Sequence, residues 1–368
     1  MNCPSDWPEP IVRVQDLSES GQPTIPDRYV KPPLERPRPV TNSDLLGDVN
    51  IPLIDLGGMF GDDEDAKRSI IKQVCAACRD WGFFQVVNHG VRPQLMDRAR
   101  EVWRQFFHLP MEMKQVYANS PKTYEGYGSR LGVQKGAILD WNDYYFLHYL
   151  PARLKDHAKW PAMPESLSRE VIEDYSAELV KLGGGLMKIL SMNLGLGEEY
   201  LQNAFGGENI GACLRVNFYP KCPQPDLALG LSSHSDPGGM TLLLADDHVT
   251  AGLQVLKNNA WINVKPAPHA FIVNIGDQIQ VLSNAVYRSV EHRVMVNSEG
   301  ERLSLAFFYN PKSDLLIQPA KELVTAERPA LYPPMTFDQY RLFIRTRGPQ
   351  GKSQVDSLRP ATSSCESS

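Results

Sequence analysis

Hydrophobic and polar positions change their rhythm along this chain. Residues 1–50 show no sustained period: proline and polar residues dominate, with short apolar patches such as Ile11-Val12. That pattern predicts an arm laid over the surface, with one short helix and a disordered tip. Residues 51–56 read as a strand. Apolar residues then recur at helical spacing over 64–80, near 93–107 and 110–117, and through a long stretch over 167–204. Residues 81–89 are dense in aromatic and β-branched side chains and predict a turn followed by a strand.

After Gly211 the texture changes. Short apolar runs at 214–219, 240–245, 253–256, 270–275, 293–296 and 303–309 are split by Pro, Gly, Asn and Asp. Short strands at regular spacing with turn signals predict an antiparallel sandwich or barrel. A last helix falls at 336–347. The chain therefore divides into an arm (1–50), a mostly helical region packed on the barrel (51–205), the barrel with its C-terminal helix (206–348) and a loose tail (349–368). The fold class is α+β. No internal repeat is present. Gly183-Gly184-Gly185 interrupts the long helical stretch, where glycine is unfavourable. It lacks the preceding strand and the following Lys-Ser/Thr of a phosphate loop.

Composition narrows the picture. A hydrophobic fraction of 42% and a charged fraction of 22% suit a protein with a real core. The net charge of −5, without any basic block, argues against a nucleic-acid partner. No apolar run approaches bilayer length, and the first residues carry Asp6 and Glu9 rather than a signal peptide. A cytoplasmic protein without a membrane partner, monomeric by default, is the expectation. The six cysteines, at 3, 75, 78, 213, 222 and 365, read as reduced thiols. Cys75-Ala-Ala-Cys78 sits at helical spacing with no second ligand pair to follow, so core packing is expected rather than a metal site.

The chemistry concentrates in the strand-rich half. His234 and Asp236 stand two apart, the spacing that puts side chains on one strand face, and His292 follows from a distant strand. Two imidazoles and a carboxylate on one side of an ion leave three positions open, the facial arrangement of non-haem iron(II) oxygenases. Taken alone, His-x-Asp is often a chance tripeptide in a turn. Ten residues beyond His292, Arg302 and Ser304 share a strand face, and a guanidinium with a hydroxyl suits a carboxylate deep in a barrel. Asn217 and Tyr219 share another face, where Tyr219 can donate to the same carboxylate or to a second one. His89, His108, His148, His157, His248 and His269 are not expected as ligands. Asp246-Asp247-His248 reads as a solvated loop.

These residues resemble the plant 2-oxoglutarate-dependent dioxygenases. The matching stretches include Trp81-Gly82-Phe83-Phe84, Asn217-Phe218-Tyr219-Pro220, His234-Ser235-Asp236-Pro237, Asn274-Ile275-Gly276-Asp277 and Arg302-Leu303-Ser304. The resemblance runs from about residue 50 to 345. It implies a double-stranded β-helix, or jelly roll, with flanking α-helices. It implies iron(II) on His234, Asp236 and His292, with 2-oxoglutarate held by Arg302 and Ser304, helped by Tyr219 and Asn217. O2 would be the oxidant and ascorbate a supporting reductant.

Further stretches resemble the jasmonate-induced oxygenases of plants, which hydroxylate jasmonic acid at C-12 and so damp a defence hormone. They are Trp7-Pro8-Glu9-Pro10-Ile11-Val12, Tyr124-Glu125-Gly126-Tyr127-Gly128-Ser129-Arg130-Leu131-Gly132-Val133, Leu305-Ala306-Phe307-Phe308-Tyr309-Asn310-Pro311 and Gly348-Pro349-Gln350-Gly351-Lys352. A small apolar acid of that kind needs cations and greasy walls. Arg215 has the parity of Asn217 and Tyr219, so it should face the interior, where a buried arginine needs an anion. Arg341 and Arg345 are four apart on the last helix and share a face. The three arginines form a candidate clamp for a substrate carboxylate, with Phe308 and Phe337 as candidate walls. For the helix pair the simpler reading is solvated charge, and for the two phenylalanines it is core packing. The competing readings are a superfamily hydroxylase for a flavonoid or another hormone, an oxidase of this fold that dispenses with 2-oxoglutarate, and a non-catalytic binding protein.

Overall fold

The structure is a computed structural model, and it describes residues 6–37, 49–162, 169–246, 252–347 and 351–359. Its strands, in chain order, are β1 (Leu53–Asp55), β2 (Phe83–Val87), β3 (Gly126–Gly128), β4 (Asp143–Leu150), β5 (Gly211–Tyr219), β6 (Leu231–His234), β7 (Met240–Ala245), β8 (Leu253–Lys257), β9 (Ala260–Asn263), β10 (Phe271–Ile275), β11 (His292–Val294), β12 (Arg302–Asn310), β13 (Leu316–Ile317) and β14 (Met335–Thr336). Eight form one sheet in the order β1-β2-β10-β7-β12-β5-β4-β3. Four form a second sheet, β6-β11-β8-β9. Together they make the jelly roll.

The helices are α1 (Val14–Glu19), α2 (Glu64–Asp80), α3 (Pro93–Phe107), α4 (Met111–Gln115), α5 (Arg169–Asn193), α6 (Tyr200–Ala204), α7 (Asp277–Leu282), α8 (Phe337–Arg347) and α9 (Ser353–Ser357). Local sequence explains their starts. The Asp63 side chain caps α2 by accepting from the Asp65 and Ala66 amides. Pro93 opens α3, where its missing N–H costs nothing. Apolar stripes on α2, α3 and α5 then close over one face of the large sheet, in a core with Leu214, Val216, Phe218, Leu303, Leu305 and Phe307.

Strand alternation sorts the two faces of that sheet. On β5, Leu214, Val216 and Phe218 join the helical core, while Arg215, Asn217 and Tyr219 line an internal cavity. On β12, Leu303 and Leu305 face the helices, and Arg302, Ser304 and Phe308 face the cavity.

Several expectations need correction. The region 51–205 carries helices where its pattern predicted them, but it also gives β1 to β4 to the large sheet, of which β3 and β4 were not foreseen, so the division at 205 runs through one continuous layer. The stretch 167–204 is two helices, because α5 ends at Asn193 and Gly195 takes a φ of +74°. Residues 351–359 are not a loose tail: Gly351 pairs with β6 and Val355 is fully buried. The arm holds the expected short helix, but it is anchored, with Val14, Tyr29 and Lys31 buried. The arm's expected disordered tip lies outside the described residues.

Asp246 is buried, accepting from the Arg104 guanidinium at 2.9 Å and the Leu303 amide at 3.1 Å, rather than solvated. Asp247 and His248 lie outside the described residues. Cys75 and Cys78 are fully buried free thiols, as their helical spacing implied. The glycine triplet has a partial explanation. A Cβ on Gly183 would sit 2.5 Å from the Tyr309 ring, so α5 approaches β12 closely only with glycine there.

Candidate active site

His234 ends β6, Asp236 follows just past the strand, and His292 opens β11, directly opposite His234 in the ladder. Among the described residues they are the one group of three such side chains whose ligand atoms converge, all within 4.8 Å of one another. Asp236 Oδ1 lies 3.5 Å from His234 Nε2 and 3.8 Å from His292 Nε2.

Backbone geometry fixes which atoms face the centre. His234 Nδ1 is 2.8 Å from the Ser232 carbonyl and His292 Nδ1 is 3.2 Å from the Val290 carbonyl. Each Nδ1–H donates outward, which leaves both Nε2 lone pairs aimed inward. Asp236 is oriented likewise. Thr241 and Asn274 donate to its Oδ2, at 2.5 and 2.7 Å, and leave Oδ1 to the histidines. Burial alone would raise the Asp236 carboxyl, but His292, His234 and the Asn274 amide outweigh it and hold the group well below the usual carboxylate range. Burial, reinforced by His234, pushes His292 down to about 4, so its imidazole is neutral near pH 7. A carboxylate beside a neutral imidazole is what a divalent cation needs.

The cavity above this centre measures about 270 Å³ and is bounded by both sheets and α8. At one end Arg302 pairs with Tyr219 across the β12–β5 ladder, and Ser304 pairs with Asn217. Asn217 Nδ2 donates to Ser304 Oγ at 3.4 Å. Burial pushes the Tyr219 phenol up and keeps it a donor. Arg302 Nε and Nη2 are buried with no hydrogen-bond partner. Arg215 donates from Nε to Asn217 Oδ1 at 2.6 Å and stacks its Cζ 4.0 Å from the centre of the Tyr144 ring, yet its Nη2 is also buried without a partner. Burial pulls both guanidiniums below their ordinary values, and the carboxylates of Asp140 and Asp236 near Arg215 and of Asp246 near Arg302 offset it only in part.

Arg341, Phe337 and Phe308 line the same cavity. Arg341 is tied to Asp338 at 2.7 Å on its own helix. The Arg345 side chain lies outside the described residues. The other histidines are placed elsewhere. His89 meets the His269 carbonyl, His108 meets Glu301, His157 packs on Trp160, and His269 meets Asp97. His148 lines the cavity wall away from the three converging groups.

Sequence reasoning missed Thr241 and Asn274. Asn274 stood in a motif already noticed, and its parity on β10 signals an inward side chain. Nothing local to Thr241 marks it. The cavity mouth is also lined by Arg153 and Lys312, which the sequence did not single out.

Two sheets around a His/Asp/His cluster, with buried unpaired guanidiniums beside it, define a non-haem iron oxygenase on a jelly roll. The chain belongs to the 2OG-Fe(II) oxygenase superfamily, which matches residues 210–311, and residues 51–163 match the N-terminal region of the non-haem dioxygenase in morphine synthesis. It is a 2-oxoglutarate-dependent dioxygenase that uses iron(II). This sets aside the non-catalytic reading.

The chain is 67% identical over 353 residues to Jasmonate-induced oxygenase 1 of Arabidopsis thaliana, spanning 95% of this chain and 87% of that protein. It is 66% identical over 352 residues to Jasmonate-induced oxygenase 2 of the same plant, spanning 96% and 94%. Its structure matches the crystal structure of JOX2 in complex with 2OG, Fe and JA at a TM-score of 0.89 and 66% identity, covering 96% of this chain and 99% of that one. Among the described residues, no helix is long and apolar enough to cross a membrane.

Proposed function

We propose that this chain hydroxylates jasmonic acid at C-12, with His234, Asp236 and His292 as iron ligands. Arg302 and Ser304, with Tyr219 and Asn217, take the distal carboxylate of 2-oxoglutarate. Arg215, Arg341 and Arg345 meet the substrate carboxylate, and Phe308 and Phe337 flank its apolar body. The two regions 51–205 and 206–348 act as one catalytic unit. The product would lower active jasmonate and damp defence signalling.

The observation that carries this reading is the pair of buried guanidiniums with free donors, Arg302 and Arg215, in one cavity with the His/Asp/His cluster. One cation answers the co-substrate, and the second asks for a substrate that is itself an anion. Kinship with the jasmonate-induced oxygenases supplies the identity of that anion.

Bound iron supplies activation of O2 against 2-oxoglutarate, which is spent to succinate and CO2. The protein's own residues bind, orient and exclude water. Tyr219 and Arg302 fix one end of the co-substrate, the outward Nδ1–H bonds keep both imidazoles presenting Nε2, and Phe83, Leu243, Leu253 and Val294 dry the walls. The test is a mass-spectrometric assay of purified protein with iron(II), ascorbate, 2-oxoglutarate and jasmonic acid. The expected product is heavier by one oxygen, with matching succinate. Succinate without that product overturns the substrate and leaves the oxygenase chemistry.

A further inference from the structure

We infer that Tyr340 and Gly351, both C-terminal to the jelly roll, are positioning residues for the metal centre. This rests on the ligand assignment above and goes beyond it.

β6 is poorly equipped to hold a ligand in place. It is short, its sequence Leu-Ser-Ser-His offers little apolar surface, and it lies at the edge of the small sheet. Its ladder to β11 is irregular between His292 and Val294. An edge strand of this kind leaves backbone groups unpaired on its outer side. Gly351 pairs there, immediately beside His234. Its amide donates to the Ser233 carbonyl at 2.8 Å, and its carbonyl accepts from the Ser235 amide at 3.2 Å. The site admits little else. Gly351 has a φ of +58°, and a Cβ would meet the carboxylate of Glu291, the neighbour of His292, at 3.3 Å.

A second tie holds the ligand that β6 does not reach. Asp236 lies past the strand end. Its carbonyl accepts from the Asp277 amide at 2.8 Å, and Ser235 Oγ donates to Asp277 Oδ2 at 3.2 Å. That same Oδ2 accepts from Tyr340 Oη at 2.6 Å. The phenol on α8 therefore steadies the carboxylate that steadies the loop between the two ligands. α8 also presents Phe337 and Arg341 to the cavity, so one helix touches both the substrate wall and the ligand loop. The Gln354 side chain ties Tyr340 to the chain beyond α8, donating to its carbonyl at 2.5 Å.

The experiment titrates Mn(II) into metal-free full-length protein by calorimetry, without 2-oxoglutarate or substrate, and separately counts hydroxylated product per succinate in the iron-loaded enzyme. Tyr340→Phe should weaken Mn(II) about tenfold, as outer-shell changes do, Gly351→Ala at least as much, and both should lower product per succinate. Tyr332→Phe is the matched control. It also deletes a buried hydroxyl from the same region, one that accepts from Gln280 and Arg359 rather than bonding to the ligand loop, and should stay within about twofold of the parent. Mn(II) affinity unchanged in both Tyr340→Phe and Gly351→Ala overturns the inference, as does an equal loss in Tyr332→Phe. His292→Ala separates the two layers. If it retains Mn(II), the ligand assignment fails; if it loses Mn(II) while the other two keep it, only the positioning role fails.

Discussion

Arg302 lies across the β12–β5 ladder from Tyr219, with its Cζ 4.4 Å from the centre of the phenol ring and its Nε and Nη2 unpaired. A buried cation with unpaired donors is a cost that a bound carboxylate removes. Arg302→Met should therefore leave the ligand-free protein as stable as the parent or more so. It should also raise the KM for 2-oxoglutarate by roughly 10- to 150-fold, the loss of a hydrogen bond to a charged group. Melting curves with Mn(II), with and without 2-oxoglutarate, check both parts. A parental rise in Tm on adding 2-oxoglutarate would remove Arg302 from that role.

Thr241 and Asn274 both hold Asp236 Oδ2, so each keeps Oδ1 turned to the histidines. Thr241→Val or Asn274→Ala should weaken metal affinity by about 10- to 100-fold without loss of fold. His292→Ala should abolish iron-dependent succinate formation altogether. Calorimetric Mn(II) titration and circular dichroism on the same samples separate a lost orientation from a lost fold.

The cavity-facing set was legible because strand parity is local. Arg302 with Ser304, and Asn217 with Tyr219, are i and i+2 pairs on long strands with clean alternation, and the structure keeps each pair on the cavity side. β4 was not legible. Asp143 begins it, and Tyr144, Tyr145 and Leu147 are all buried, so no alternation marks it. Asp143 itself is satisfied by groups far from it in sequence, the amides of Val14 and Gln15 and the hydroxyls of Ser129 and Tyr127. β6 was missed because two of its four residues are serines whose partners, Asp140 and Glu291, lie far away in sequence. Gly351 could not be placed because its role depends on a single bridge to that strand.

Arg215 lines the cavity beside Asn217, with its Nη2 buried and without a partner. Arg215→Met should raise the KM for jasmonic acid by roughly tenfold or more and move the KM for 2-oxoglutarate much less. An amino-acid conjugate carries its carboxylate farther from the ring, so the parent enzyme should prefer the free acid. Steady-state kinetics with both substrates checks this, and equal turnover of the conjugate would count against the arginine clamp.

Glu125 is 4% exposed, and burial pushes its carboxyl up to about 7, although the His148 amide donates to it at 3.0 Å. The folded state thus holds a proton that the unfolded chain has released above the ordinary value of 4.5. Its contribution to stability is full below that value and is lost as pH rises towards 7. Glu125→Gln keeps the neutral shape at every pH. Relative to the parent, it should gain on the order of 3 kcal/mol between pH 4.5 and 7.5. Urea unfolding of both proteins across that range measures the difference, and parallel curves would show that Glu125 is ionised in the fold.

Gly183 and Gly185 lie two apart on α5, and the same substitution should act on them with opposite sign. Intrinsic propensity favours alanine over glycine in a helix by about 1 kcal/mol. At Gly185 a Cβ meets nothing within 4 Å, so alanine should deliver most of that gain. At Gly183 the Cβ would fall 2.5 Å from Tyr309 Cδ2 and 2.9 Å from Cε2. Tyr309 is 1% exposed and donates to Gln202 at 2.7 Å, so its ring has nowhere to retreat. Overpacking of this kind costs about 1–3 kcal/mol and exceeds the propensity gain. Tm should therefore rise by about 1 °C for Gly185→Ala and fall by a similar amount or more for Gly183→Ala. Scanning calorimetry of the two single variants decides it. A rise in both would mean that α5 can shift away from β12, and that close approach is not what glycine provides at 183.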